Sequence, residues 1–412
     1  MKQGKYICTG CEKEYSYERV FPRCDECSEP LELRINGQNE TNKDNSLDQK
    51  KTSIYNQNII DKFASFYSFT YMRDNTSLGE GFTPLIKANN LPSILDLESI
   101  YLKNETVNPT WSFKDRGTFV CVQHAKKLGY KRIGTVSSGN MAASVAAYGA
   151  RAKMETFILV AADIPMEKIK PVLMYNPVLI KVDGNYGALY YESLKIGRET
   201  GIYFLNSDVP FRIEGSKSIS FEICEQLNYN VPDFVVIPTS SGGNARGIIK
   251  GFLEYYKHKL IDRLPRFICV QLEGCAPIYN AWINGDEKIS LISKPEAIDN
   301  AIANPYPPSG NELLRKLREY DGILTAVSDK EALEGQLLLA KEGIFAQPAA
   351  VVSLMAIKKM KNSGLINKKD KCVAIITGSG LKYAGILNKH NFGSETCTLE
   401  NLKEKIISVI KK

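Results

Sequence analysis

From about residue 54 onward, short apolar runs rich in β-branched residues alternate with stretches of helical periodicity. The runs at 132–136, 157–160, 178–182, 234–238, 267–272 and 372–377 read as buried strands. Helices are predicted from about 118 to 128 and from about 141 to 152. Strands separated by helical stretches of roughly 10–20 residues predict βαβ units, hence a mostly parallel sheet covered by helices. The polar stretch GQNETNKDNSLDQKKTS at 37–53 has no apolar periodicity and reads as a linker between a first module, 1–36, and a main region, 54–412. The tail at 399–412 reads as an amphipathic helix with a basic end, and no repeat interrupts the series.

Composition narrows the classes. At 412 residues the chain is long enough for two to three domains of roughly 150 residues each. The hydrophobic share of 43% and charged share of 24% are those of a globular chain. A net charge of +7 is mild for this length and makes no case for nucleic acid as a partner. No run of 18 or more apolar residues is present, so no membrane helix is expected. The start, MKQGKYICTGC, has no apolar signal core, and a cytoplasmic location is the expectation. With three histidines, His124, His258 and His390, a mechanism built on imidazole is poorly supplied.

The ten cysteines are unevenly placed. Four occur as Cys8-x2-Cys11 and Cys24-x2-Cys27, and two tight turns of this kind can complete a tetrahedral thiolate site suited to Zn(II). Accidental pairs or redox dithiols are the plainer alternatives. With all four positions filled by sulfur, such a metal would hold a small fold together and leave no open coordination site for catalysis. Residues 1–36 carry six basic against seven acidic side chains, so this zinc-ribbon-like module offers no basic face to phosphates. Most of the other six cysteines read as small core residues.

Three predicted strands end in small polar loops that open a helix: 137–140 (SSGN), 239–244 (TSSGGN) and 377–380 (TGSG). In open α/β sheets ligands bind beyond the carboxyl ends of the strands, where glycines let backbone approach and helix N-termini hold anions. Neither GxGxxG nor a Walker signature is present, so the loops predict an anionic small molecule without pointing to a nucleotide. A fourth segment, NPTWSFKDRG at 108–117, brings Lys114 just ahead of the predicted helix at 118. Spacing alone makes Lys114 an ordinary helix-terminal residue balanced by Asp115. Partial desolvation would lower its pKa and let it form a Schiff base.

NPTWSFKDRG resembles the NPTGSFKDRG lysine segment of threonine synthases, within the tryptophan-synthase-β-like, fold type II family of pyridoxal-phosphate enzymes. GEGFTPL at 79–85 resembles the family's GEGxTPL, SSGNMAAS at 137–144 its SSGNTAAS, and NSDVPFRIEGSKS at 206–218 its NSxNPxRxEGQKT. PTSSGGN at 238–244 is similar to its phosphate-holding loop, and TGSGLK at 377–382 to the segment beside the cofactor ring. The resemblance covers about residues 75–385 in order and spacing. It implies two open twisted α/β lobes, the smaller at approximately 118–222 inserted in the larger, behind the ribbon.

The resemblance also implies roles. Lys114 is then the Schiff-base lysine, with Asn140 and Thr377 on the cofactor ring and Ser240, Ser241, Gly242, Gly243 and Asn244 around its phosphate. Ser137, Ser138 and Gly139 match the grip on the amino acid's carboxylate. Asn206, Ser207 and Arg212 match the hold on a substrate phosphate. The implied reaction turns O-phospho-L-homoserine and water into L-threonine and phosphate, with pyridoxal 5'-phosphate as cofactor, structural Zn(II), a phosphorylated amino acid as small-molecule partner, and a homodimer as an open possibility. Three positions depart from the pattern: Trp111 stands for a glycine, Met141 for a threonine and Gln347, in EGIFAQPA, for an acidic residue. The alternatives are a cysteate-synthase-like β-replacement on O-phosphoserine and a catalytically silent phosphoamino-acid-binding relative.

Overall fold

Apolar strands with both faces covered are the mark of parallel sheets, and here they build two of them. The computed structural model describes residues 4–19, 21–35, 58–184 and 186–410, with backbone only at 186 and 187. The segment 37–53, read as a linker, lies outside the described residues, as do 1–3, 20, 36 and the last two residues of the tail.

In the first module β1 (Gly4–Cys8), β2 (Glu14–Ser16) and β3 (Leu31–Ile35) form an antiparallel sheet of order β2-β1-β3. Next in the chain come β4 (Leu85–Lys87) and β5 (Ser99–Asn104). A four-stranded parallel sheet of order β8-β7-β6-β9 follows, made of β6 (Arg132–Val136), β7 (Glu155–Ala161), β8 (Val178–Val182) and β9 (Ile202–Phe204). The chain then returns with β10 (Phe234–Pro238), β11 (Arg266–Leu272), β12 (Ile323–Val327) and β13 (Lys371–Ile376). These four join the earlier pair in a six-stranded sheet of order β12-β11-β10-β13-β5-β4, in which β4 runs antiparallel to β5 and the other pairings are parallel. Every residue of β10 and β12 is buried.

The predicted runs at 132–136, 178–182 and 234–238 coincide with β6, β8 and β10. β13 ends one residue early, which leaves Thr377 in the loop. β4, β5, β9 and β12 are not among the predicted strands. β4 and β9 are three residues long, and β5 ends in Lys103 and Asn104, polar residues that only tertiary partners bury. The helix expected from 118 begins at Lys114 and runs to Lys127, so the lysine lies in its first turn rather than ahead of it. Asp115 explains the earlier start: its carboxylate accepts from Thr110 N and Thr110 Oγ1, both at 2.6 Å, and folds 110–115 into a turn.

Close backbone packing fixes that helix. A Cβ on Gly215 would lie 2.4 Å from the Arg116 carbonyl oxygen, and one on Gly117 would lie 3.1 Å from that of Arg212. Helix Lys114–Lys127 therefore crosses helix Pro210–Ser216 in direct main-chain contact. A charge-balanced buried network anchors the first turn of helix Lys114–Lys127 beside that crossing. Arg116 donates to Glu105 (2.7 and 2.8 Å) and to Glu222 (2.6 and 2.7 Å), and Lys103 Nζ donates to Glu222 at 2.7 Å.

The described residues up to Lys382 form one compact unit, which includes those of the first module. The described residues from Tyr383 onward form a second, in which helix Leu402–Ile410 has no buried residue. No helix among the described residues is long and apolar enough to cross a membrane.

Removing one partner of a buried ion pair costs about 3–5 kcal/mol, whereas exposed pairs contribute about 0–1 kcal/mol. Arg116→Leu is expected to lower the unfolding free energy, measured by urea titration, by the larger amount. Arg132→Leu, which breaks the exposed pair with Glu155, should change it by no more than the smaller one.

Candidate active site

β10 and β13 are neighbours, so the loops leaving their carboxyl ends, 239–244 and 377–380, lie side by side. The lysine segment is tied to the second of them. Phe113 N donates to Thr377 O, and Ser379 N to Trp111 O, both at 3.0 Å. Ser112 forms an antiparallel bridge with Gly378. The loop at the end of β6 arrives through a side chain: Asn140 Nδ2 donates to Gln347 Oε1 at 2.7 Å, while Gln347 N donates to Gly378 O at 3.0 Å. Arg212 completes the group by donating to Lys114 O at 3.1 Å and to Thr118 Oγ1 at 3.0 Å. Gly243 lets the 239–244 loop meet the 206–212 segment, since a Cβ there would lie 2.5 Å from the Ser207 carbonyl oxygen. Gly242 adopts φ +87°, a left-handed conformation that suits glycine, at the start of helix Gly243–Lys257.

The electrostatics are lopsided. Burial pushes the Lys114 ammonium down to about 7, and the neighbouring Arg212 and Lys382 charges act in the same direction. Its place at a helix N-terminus, the positive end of the dipole, also disfavours a cation. Arg212 is only 4% exposed, and burial pushes it down to about 10. Lys382, whose Nζ donates to Thr110 O at 2.7 Å, is pushed down to about 8, again by burial. Among the described residues, neither Lys114 nor Arg212 has a carboxylate within ion-pairing distance. Asn244 Nδ2 and Oδ1 and Ser112 Oγ are buried with no partner. Two cations without a counter-ion and an unused amide at a helix N-terminus fit anionic groups. The donors of the 239–244 loop suit a phosphate, and a partly neutral lysine suits a carbonyl-bearing cofactor.

The remaining predicted residues fall around this centre. Ser240 and Ser241 lie in the 239–244 loop, and Ser241 O accepts from Ser309 N at 3.0 Å. Ser137, Ser138 and Gly139 precede helix Asn140–Arg151, with Gly139 N donating to Ser137 Oγ at 3.2 Å. Asn206 is spent on the scaffold: its amide donates to Ser193 Oγ at 2.9 Å and accepts from Val136 N at 3.1 Å, fastening the end of β6. Ser207 is half-buried beside it. Trp111 has φ +63° and an exposed ring, so a bulky residue occupies a left-handed position that favours glycine. Met141 is buried in the first turn of its helix. His124 stacks on Phe211 with ring centroids 3.6 Å apart and is a core residue. In the first module the sulfurs of Cys8, Cys11, Cys24 and Cys27 all lie within 4.8 Å of one another, and Gly10 N and Cys11 N point to Cys8 Sγ at 3.3 and 3.4 Å. The loop containing Pro308 and Ser309, which backs the 239–244 loop, has no local sequence signal that could have found it.

The chain matches the family described as pyridoxal-phosphate dependent enzyme over residues 76–378. It is 36% identical to a threonine synthase of Methanocaldococcus jannaschii over 91% of this chain and 92% of that one. It is 33% identical to a threonine synthase of Methanosarcina acetivorans over 91% of each. Among solved structures it resembles threonine deaminase isoform 2 of Solanum lycopersicum, with a TM-score of 0.62 and 20% identity over 80% of this chain and 84% of that one. The last likeness concerns the fold.

A lysine held near 7 is nucleophilic where ordinary lysines are protonated. In cofactor-free protein an amine-acylating reagent should modify Lys114 with an inflection near pH 7, read by peptide mass spectrometry. Arg212→Gln removes a neighbouring charge and should move that inflection upward; an inflection near that of the exposed lysines would contradict the burial argument. The unfolded chain binds more protons at this position between about pH 7 and 10.5, so the contribution of Lys114 to stability rises with pH through that window.

Proposed function

The chain belongs to the pyridoxal-phosphate-dependent enzymes and, among them, to the threonine synthases, and we propose that it converts O-phospho-L-homoserine and water to L-threonine and phosphate by γ-elimination and β-addition. One observation carries the substrate: Arg212 is buried beside Lys114 with no carboxylate of its own, a place for a second phosphate besides the one suited to 239–244. Pyridoxal phosphate held through Lys114 supplies an electron sink for negative charge at the substrate Cα.

The residues divide the remaining work. Ser240, Ser241, Gly242, Gly243 and Asn244 would hold the cofactor phosphate at the N-terminus of helix Gly243–Lys257, with Asn140 and Thr377 on its ring. Ser137, Ser138 and Gly139 would present main-chain N–H groups to the substrate carboxylate. Arg212, with Ser207, would take the substrate phosphate; an arginine fork suits a phosphate monoester. Asn206 holds the loop in place. Lys114, partly neutral near pH 7, can accept the Cα proton, help move a Cβ proton as phosphate leaves Cγ, and, once Cγ has been protonated to a methyl group and water has added at Cβ, return a proton to Cα.

The smaller lobe at approximately 118–222 would hold β6 to β9, and the cofactor would lie between that lobe and the six-stranded sheet. For the first module a zinc ribbon is supported by four clustered sulfurs and by N–H groups aimed at Cys8 Sγ. Zn(II) would be structural there.

Purified protein should release phosphate and threonine from phosphohomoserine in equal amounts, and Lys114→Ala should release neither. Phosphate without threonine would sink the reaction as written. Preferred turnover of phosphoserine with sulfite would replace it by β-replacement. Charged hydrogen bonds contribute about 1.5–3 kcal/mol, so Arg212→Gln should raise KM for phosphohomoserine about 10- to 100-fold. Metal analysis should find zinc at parity with the chain, reduced in Cys24→Ser.

A further inference from the structure

The first module touches the main region at a point for which the reaction has no assigned use. Arg23, next to Cys24, is 4% exposed. Its Nη2 donates to Asp208 Oδ2 and, at 2.9 Å, to the Pro308 carbonyl oxygen. Asp208 is fully buried, and its other oxygen accepts from Tyr190 Oη.

Asp208 lies within the 206–212 segment, and Pro308 is next to the serine that backs the 239–244 loop. Asp208 follows Ser207, whose carbonyl lies against Gly243, and it precedes helix Pro210–Ser216 with Arg212. Pro308 precedes Ser309, whose N donates to Ser241 O at 3.0 Å and whose Oγ accepts from Arg246 Nη1 at 3.0 Å. A Cβ on Gly242 would lie 3.0 Å from the Ser309 Cβ. One guanidinium therefore fastens the backs of 206–212 and 239–244 together.

The cysteine turns set where that guanidinium sits. Arg23 bridges to Pro30 in antiparallel register, and Arg19 Nη2 donates to Arg23 O at 2.8 Å. Cys24 N donates to Glu29 O at 3.0 Å, and Ser28 N to Cys24 O at 3.1 Å. An ion drawing the four thiolates together would fix this turn and the arginine beside it.

We propose that Arg23 is a positioning residue for both anion-binding loops, and that the four-cysteine cluster acts on the active site by holding it in place. The 206–212 half rests on the proposed substrate phosphate; the 239–244 half rests on the family's cofactor alone.

The test uses full-length holoenzyme with Arg23→Gln and Arg23→Lys. Three quantities are read: the dissociation constant of pyridoxal phosphate by absorbance, the inhibition constant of inorganic phosphate, and amide exchange of 205–216 and 239–247 by mass spectrometry. Groups that orient a binding site typically change affinity by about 10- to 100-fold. Arg23→Gln should weaken cofactor and phosphate binding about tenfold and speed exchange in both segments, with β11 and β12 unchanged. Arg23→Lys should recover part of each effect, and removing the metal from the unmodified protein with a chelator should reproduce Arg23→Gln.

A folded Arg23→Gln with unaltered cofactor affinity and exchange overturns the proposal. Should that variant not fold, Asp208→Asn is measured in the same way, and unaltered values overturn it equally. Metal loss that leaves both loops unmoved overturns the cluster's part. If inorganic phosphate does not inhibit the unmodified enzyme, the substrate reading falls, while cofactor affinity and exchange still decide the role of Arg23.

Discussion

Arg212 is buried and Lys114 half-buried beside it, neither with a carboxylate within ion-pairing distance among the described residues, and the site depends on that imbalance. Burying an unpaired charge is expensive, and the two side chains respond differently. The lysine becomes partly neutral near pH 7, its ammonium pushed down to about 7. The arginine, pushed down to about 10, stays charged at neutral pH and is left with an unmet demand for an anion. One group becomes a nucleophile and proton carrier, the other a phosphate receptor, from the same shortage of negative charge.

Keeping such a pair buried takes rigid surroundings. Gly117 and Gly215 let the two helices pack in main-chain contact, where a Cβ on either would force them apart. Residues two apart on a helix face nearly opposite ways, about 200° around the axis, so Arg116 points away from Lys114. There it enters a network in which two cations, Arg116 and Lys103, are matched by two carboxylates, Glu105 and Glu222. One turn of helix thus holds a charge-balanced anchor on one side and a charge-deficient site on the other.

Much of this was legible along the chain. The small-residue loops at 137–140, 239–244 and 377–380 stand where predicted, because strand periodicity and glycine placement are local signals. β5 was not legible, since Lys103 looks exposed until Glu222 is beside it. The start of helix Lys114–Lys127 was missed because an Asp115 bond to Thr110 overrides the extended bias of the NPT segment. That Asn206, expected beside the substrate phosphate, holds Val136 and Ser193 was not legible either. Trp111 departs from the family pattern at a position where its own φ of +63° shows why glycine is usual.

By itself the sequence determined the parallel α/β character, the four-cysteine motif, the lysine segment and the family, because each is written in residues a few positions apart. Tertiary structure alone decided which groups meet. Asn140 reaches Gln347 across 207 positions, and Arg23 reaches Asp208 and Pro308 across 185 and 285. It also decided that, among the described residues, no carboxylate comes within ion-pairing distance of Lys114 or Arg212. The pKa of a side chain depends on the charges and solvent around it in space, and a lysine's neighbours along the chain do not specify them.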